Sequence, residues 1–143
     1  MRRRIFLALA CTTLLAAPAH AAGIYTGALE GVALSGFDAV SYFGAMPLRG
    51  TSNHMTKWQG ADWYFSSAEN LAAFMAAPEK FAPQYGGYCA YAVAKGSLAP
   101  GDPEAWTVHD GKLYVNLSPS IKLTWEKDIP GYVGKADANW PGL

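Results

Sequence analysis

The stretch WTVHDGKLYVN, residues 106–116, carries the clearest local structure signal in the chain. Aromatic and β-branched residues stand on both sides of an Asp-Gly pair, a pattern typical of a β-hairpin with a two-residue turn. Side chains alternate between the two faces of a strand, so His109 points to solvent if Trp106 and Val108 face the core. We therefore predict a hairpin here, with an exposed His109 beside its turn.

A second hairpin is predicted earlier in the chain. The runs 55–59 and 62–65 are rich in aromatic and β-branched residues, and they flank a short turn at Gly60 and Ala61. A helix follows directly, because Ser66 and Glu69 form an S-x-x-E capping box at its start. These signals place two hairpins and at least one helix in the chain.

Further short helical segments are expected around the two hairpins. Asp38 is a good N-cap for one of them, and Pro78 both ends the helix after Ser66 and opens a new turn. The remaining predictions are a short helix within residues 88–95, a final helix from Ser118 or Ser120 to near Pro130, and a tail over residues 136–143. The fold class is α+β: two β-hairpins packed with short helices in a single small domain, with no internal repeat apparent.

The bulk composition excludes two classes of protein. The chain has 143 residues, 51% of them hydrophobic, and a formal net charge of +0, which suits one globular domain. Because it has no basic run after residue 4, we expect no nucleic-acid partner. We also expect no membrane span in the mature chain, since no later segment is long and uncharged enough to form one.

The first residues are typical of a targeting signal. MRRR is followed by a short apolar run and by Ala19-His20-Ala21, so residues 1–21 are predicted to be a signal peptide and the protein to be periplasmic or secreted. Arg3 and Arg4 fit a twin-arginine signal and equally an ordinary signal with extra arginines. Cleavage would leave residues 22–143, with Cys89 as the only cysteine and no partner for an intramolecular disulfide.

Several motifs together resemble the YHS domain. They are Asp38-Ala39-Val40, Trp58-Gln59-Gly60, Tyr64-Phe65-Ser66-Ser67 and Pro78-Glu79-Lys80-Phe81, and then Tyr85-Gly86-Gly87-Tyr88-Cys89-Ala90 and Gly101-Asp102-Pro103-Glu104-Ala105-Trp106, which resemble the exported branch of the family. The resemblance implies a YHS-like domain with a C-terminal extension over residues 22–143. It also implies a link to heavy metals.

The chain departs from the family pattern at the cysteines. Metal-associated members carry cysteines at three places that are occupied here by Ser41, Ser66 and Asn70. Neutral hydroxyl and amide groups are not good ligands for soft metals. Any metal site must therefore use other residues.

Three functions remain open from the sequence. The first is an exported binding module for a metal ion or small molecule, with copper or zinc held by Cys89, His109 and His54. The second is a thiol-dependent redox protein or enzyme that uses Cys89 near a helix start. The third is a non-metal interaction or scaffold domain in which Cys89 is a small buried hydrophobic residue.

Overall fold

The computed structural model describes residues 22–143, so the expected signal peptide with Arg3 and Arg4 lies outside the described residues. Four strands and five α-helices follow one another in this part of the chain. In chain order they are β1 Thr51–Trp58, β2 Ala61–Phe65, α1 Ala68–Ala76, α2 Pro78–Phe81, α3 Ala90–Ala94, β3 Asp102–His109, β4 Lys112–Asn116, α4 Pro119–Glu126 and α5 Ile129–Asn139. Four 3-10 segments complete the list: Ala33–Gly36, Ala39–Phe43, Gln84–Gly87 and Trp140–Gly142.

The strands form two separate antiparallel hairpins, which confirms the α+β class. β1 pairs with β2 and β3 pairs with β4, each as a two-stranded sheet. Asp110 and Gly111 form the second turn with φ values of 49° and 72°, as a mirror-image hairpin turn requires. The first turn is Gln59 and Gly60, one residue earlier than predicted. No helix within residues 22–143 has the length and apolar character needed to cross a membrane.

The start of α1 corrects the predicted capping box. The N-cap is Ser67, whose Oγ accepts the amide of Asn70 at 3.1 Å. Ser66 is therefore not the cap, because its hydroxyl is hydrogen-bonded elsewhere. As predicted, Pro78 opens a new turn at the first position of α2.

The C-terminal end of the chain also differs from the prediction. The helix after Ser118 ends at Glu126, and a further helix, α5, begins after its cap Asp128. Pro130 lies in the first turn of α5, where its missing amide hydrogen has no cost, so it does not end a helix. The predicted tail instead contains the end of α5, where Ala136 is fully buried, and the 3-10 segment Trp140–Gly142.

The core consists of two aromatic clusters. The first lies on the β1–β2 hairpin, where Phe74 of α1 packs on Trp63 and Phe65 with ring centroids 5.0 Å apart in both pairs. The second surrounds Trp125 of α4, which packs on Tyr114 of β4 at 5.1 Å.

Residues from the second half of the chain complete the first cluster. Leu113 and Val115 of β4 are buried in it. Tyr42 also crosses between the halves, since its hydroxyl donates to the carbonyl of Pro103 at 2.8 Å. Burial raises the pKa of Tyr42, and the nearby Asp102 and Glu104 add to the shift. The neutral phenol needed for this hydrogen bond is therefore favoured.

Two neighbours on α1 test this description of the core. Phe74→Ala is expected to lower the free energy of unfolding by about 3–5 kcal/mol, because it removes a fully buried ring from an aromatic cluster. Met75→Ala is the matched control, since Met75 is 61% exposed, and its effect should stay within about 0.5 kcal/mol. Urea denaturation of both variants measures the difference. Similar losses in the two variants would contradict the assignment of Phe74 to the core.

Candidate functional site

The most connected polar group in the described residues is the carboxylate of Asp38. Its side chain is fully buried and lies at the N-cap of the 3-10 segment Ala39–Phe43, as predicted for a cap. Oδ1 accepts the backbone amides of Val40 at 2.9 Å and Ser41 at 3.2 Å. This half of the carboxylate fixes the start of the 3-10 segment.

The second carboxylate oxygen binds a different part of the chain. Asp38 Oδ2 accepts the amide of Ser66 at 2.9 Å, the hydroxyl of Ser66 at 2.7 Å and Nδ2 of Asn70 at 2.8 Å. Ser66 directly follows β2, and Asn70 lies in the first turn of α1. One carboxylate therefore accepts five hydrogen bonds and joins three elements.

Ser41 belongs to the same arrangement through its hydroxyl as well as its amide. Its Oγ donates to the carbonyl of Asp38 at 2.6 Å and accepts the amide of Leu48 at 2.8 Å. Ser41 is far in sequence from Ser66 and Asn70, and all three meet around one buried group. We call Asp38 and these three residues the Asp38 cluster.

Residues 40–85 match the family model described as the YHS domain. The chain contains a YHS domain. Ser41, Ser66 and Asn70 lie within the matched segment, and Asp38 stands two residues before it. No curated protein and no solved structure shows a significant match to this chain.

The Asp38 cluster does not fit a soft metal ion. It presents two hydroxyls and an amide at the three positions that resemble the cysteine positions of metal-associated YHS domains. The Asp38 carboxylate already has five donors, which exceeds its roughly four lone-pair positions. The oxygen atoms of the cluster are therefore committed to one another and to the backbone.

Cys89 lies in a second buried polar contact. Its side chain is buried at the N-cap of α3, and Sγ is 3.6 Å from Oδ1 of Asn116. The same Asn116 oxygen accepts the amide of Tyr91 at 3.0 Å. Asn116 is fully buried at the end of β4, and within residues 22–143 its Nδ2 has no hydrogen-bond partner.

The two histidines predicted as ligands lie on separate hairpins. His109 ends β3, and its Nε2 is 3.3 Å from Oδ2 of the adjacent Asp110. Its side chain is 37% exposed, which agrees with the outward orientation predicted from strand alternation. His54 lies in β1 and is half-buried. In the part of the chain that the structure describes, no group of three or more His, Cys, Asp or Glu side chains is arranged to hold a metal.

Sequence reasoning missed two features of these sites. Asp38 was predicted only as a cap, because nothing in the local sequence indicates that Ser66 and Asn70 donate hydrogen bonds to its second carboxylate oxygen. Asn116 was not singled out, although a polar residue after the apolar run LYV in a buried strand was a usable signal. Such a residue needs hydrogen-bond partners in the core.

Replacing Asp38 tests the importance of the cluster. In Asp38→Asn the side-chain amide nitrogen replaces one carboxylate oxygen and cannot accept the hydrogen bonds made there. We therefore expect the free energy of unfolding to fall by about 3 kcal/mol or more. Asp128→Asn is the matched control: Asp128 caps α5 through Gly131, and asparagine caps equally well. That variant should change stability by less than about 0.5 kcal/mol in urea denaturation. Equal effects of the two substitutions would show that the Asp38 cluster is not special.

Proposed function

We propose that this protein is a YHS-type interaction domain that binds a partner through its surface. The observation that carries the proposal is the Asp38 cluster. Ser41, Ser66 and Asn70 occupy positions that resemble the cysteine positions of metal-associated YHS domains. Here all three donate hydrogen bonds to the buried Asp38 carboxylate, Ser41 through its backbone amide. The match to the YHS family over residues 40–85 is consistent with a small binding module.

In this proposal, the hydrogen bonds of the Asp38 cluster join separate segments of the fold, as a structural metal ion would. A structural metal stabilises a small domain because its ligands come from separate segments and are joined at one point. Asp38 joins the 3-10 segment, the residue after β2 and the first turn of α1 in the same way, using hydrogen bonds. In this proposal the fold is complete without a metal ion, so binding is left to the surface.

The YHS part of the chain exposes flexible apolar side chains that suit a protein partner. Met46 is 62% exposed and Met75 is 61% exposed, and Leu48 and Met55 are also exposed. Methionine is adaptable in shape and is common at binding surfaces that accept varied partners. We therefore assign the partner to the class of proteins that present apolar side chains.

Metal analysis separates this proposal from copper or zinc binding through Cys89, His109 and His54. We expect purified protein to contain far less than one metal per chain, and Cu(I) or Zn(II) to leave its urea midpoint unchanged. A ligand that binds only the folded state would raise the midpoint as it saturates the protein. One equivalent of copper that is present in the wild type and absent in Cys89→Ser would overturn the proposal in favour of metal binding.

The same samples test the thiol alternative. The buried Cys89 should react with an alkylating reagent far more slowly in the native protein than in urea, because attack requires access to the sulfur. Rapid alkylation of the native protein would support a thiol-dependent function instead.

A surface variant provides the positive test. In-cell cross-linking of the wild type should give a defined protein adduct, and Met46→Ser with Met75→Ser should lose it while the urea midpoint stays unchanged. The matched control is Met46→Leu with Met75→Leu, which keeps an apolar surface and should keep the adduct. Loss of the adduct in both pairs, or in neither, would contradict binding through apolar contacts at these positions.

Export is a separate part of the proposal. It is supported by the sequence of residues 1–21, with its basic start, apolar run and A-x-A site. We expect the protein in the periplasmic fraction, with a mass that corresponds to a chain beginning at Ala22. Arg3→Lys with Arg4→Lys should block export if the twin-arginine route is used, and should leave export unchanged if the signal is an ordinary one. Full-length protein confined to the cytoplasm of wild-type cells would contradict export.

A further inference from the structure

We infer that the chain contains two copies of one structural unit. Unit 1 covers residues 33–76 and unit 2 covers residues 84–127, and the first residues of corresponding elements are 51 positions apart throughout. The pairs are Ala33–Gly36 with Gln84–Gly87, Ala39–Phe43 with Ala90–Ala94, β1 with β3, β2 with β4, and α1 with α4. This inference goes beyond the proposed function and does not depend on it.

Rare backbone conformations support the equivalence. The described residues include five non-glycine residues with positive φ, which is uncommon for side chains with a Cβ atom. Leu34 and Tyr85 have φ values of 51° and 56°, and Gln59 and Asp110 have values of 47° and 49°. Both pairs are 51 residues apart. The fifth, Ser35, corresponds to Gly86, whose φ is 63°.

The hairpins are irregular at the same point. In β1 the pairing register shifts between Thr51 and Met55, and in β3 it shifts between Asp102 and Trp106. β-Bulges are specific features of a strand and are not expected to recur at one register by chance. Each hairpin thus carries the same distortion at the start of its first strand.

Hydrogen bonds outside the strands recur with the same spacing. The amide of Asp38 donates to the carbonyl of Leu48 at 2.8 Å, and the amide of Cys89 donates to that of Ala99 at 2.9 Å. The helix caps also correspond, since Ser67 and Ser118 each accept the amide three residues later. A fully buried aromatic ring follows at the same place in α1 and α4, as Phe74 and Trp125.

The structure therefore corrects the expectation that the chain has no internal repeat. The two units share few identical residues, and most of these meet a backbone or capping requirement. The identities are Gly36 and Gly87, Ala39 and Ala90, Gly50 and Gly101, Thr56 and Thr107, Gly60 and Gly111, and Ser67 and Ser118. The side chains of the two cores differ, so the repeat is visible in the fold and not in the amino-acid sequence.

The equivalence assigns Cys89 a position. It is the counterpart of Asp38 in unit 2, at the start of the corresponding short helix. In unit 1, Asp38 Oδ1 accepts the amide of Val40 at 2.9 Å; in unit 2, Asn116 Oδ1 accepts the equivalent amide, that of Tyr91, at 3.0 Å. The hydrogen-bond acceptor has therefore moved from the helix start to the end of the hairpin.

The donors of unit 1 are missing at the equivalent places. Leu117 corresponds to Ser66 and Ile121 corresponds to Asn70, and neither side chain can donate a hydrogen bond. Unit 2 thus has the same buried centre as unit 1 with a different polar arrangement, in which a thiol and an amide replace the carboxylate and its donors.

Transplanting the Asp38 cluster tests this equivalence. Cys89→Asp alone should lower the urea midpoint strongly, because it buries a carboxylate without the donors that Ser66 and Asn70 provide in unit 1. Adding Leu117→Ser and Ile121→Asn should restore part of the stability. Each set of substitutions changes the folding equilibrium constant by a factor relative to wild type. The factor for the triple variant should be at least tenfold more favourable than the product of the factors for Cys89→Asp alone and for Leu117→Ser with Ile121→Asn, because the contacts are coupled.

The control places the same donors on α4 at positions that are not equivalent. Cys89→Asp with Leu123→Ser and Ser120→Asn should show no coupling, since neither position is the counterpart of Ser66 or Asn70. If the triple variant is no better than additive, or if this control is rescued equally, the inference is overturned.

A measurement on the wild-type protein keeps the inference testable if Cys89→Asp does not fold. NMR contacts across each hairpin should show the register shift at Met55 opposite Tyr64 and again at Trp106 opposite Val115. A regular register in one hairpin and a bulge in the other would overturn the repeat.

Discussion

The structure of the first half of the chain depends on one buried charge and the groups that hydrogen-bond to it. Burying a carboxylate is strongly unfavourable unless donors compensate for its lost hydration. Asp38 is compensated by five donors from three elements, so the charge fixes the positions of those elements relative to one another. Apolar packing of Phe74 and its neighbours adds stability to the same half of the chain.

The parts of the fold that the sequence predicts are those with local causes. The turn at Asp110 and Gly111, the helical turn at Pro78 and the cap at Asp38 each follow from a few adjacent residues, and the structure has all three. The errors arise where a residue could act locally or at a distance. Ser66 was predicted to cap a helix from its spacing to Glu69, but its hydroxyl binds a carboxylate 28 residues away.

The structure changes the interpretation of Cys89. As the only cysteine of the expected mature chain, it was the natural candidate for a ligand or a nucleophile. The structure places it in the core against Asn116, with His54 and His109 on separate hairpins. The apolar run before Asn116 could have indicated a buried polar residue, but its contact with Cys89 depends on β4 passing beside the start of α3. The chemistry of Cys89 therefore has to be considered together with this amide.

The sharing of β4 between the two aromatic clusters has a consequence for how the chain is made. Leu113 and Val115 are buried with residues of the first hairpin, although they are synthesised about 50 residues later. Synthesis proceeds from the N-terminus, so the core around Phe74 stays incomplete until β4 has left the ribosome. The two units resemble one another in shape, yet the core of unit 1 is complete only after β4 of unit 2 has been made. The smallest segment that can complete the first core therefore reaches Val115, well beyond residues 40–85 that match the YHS family.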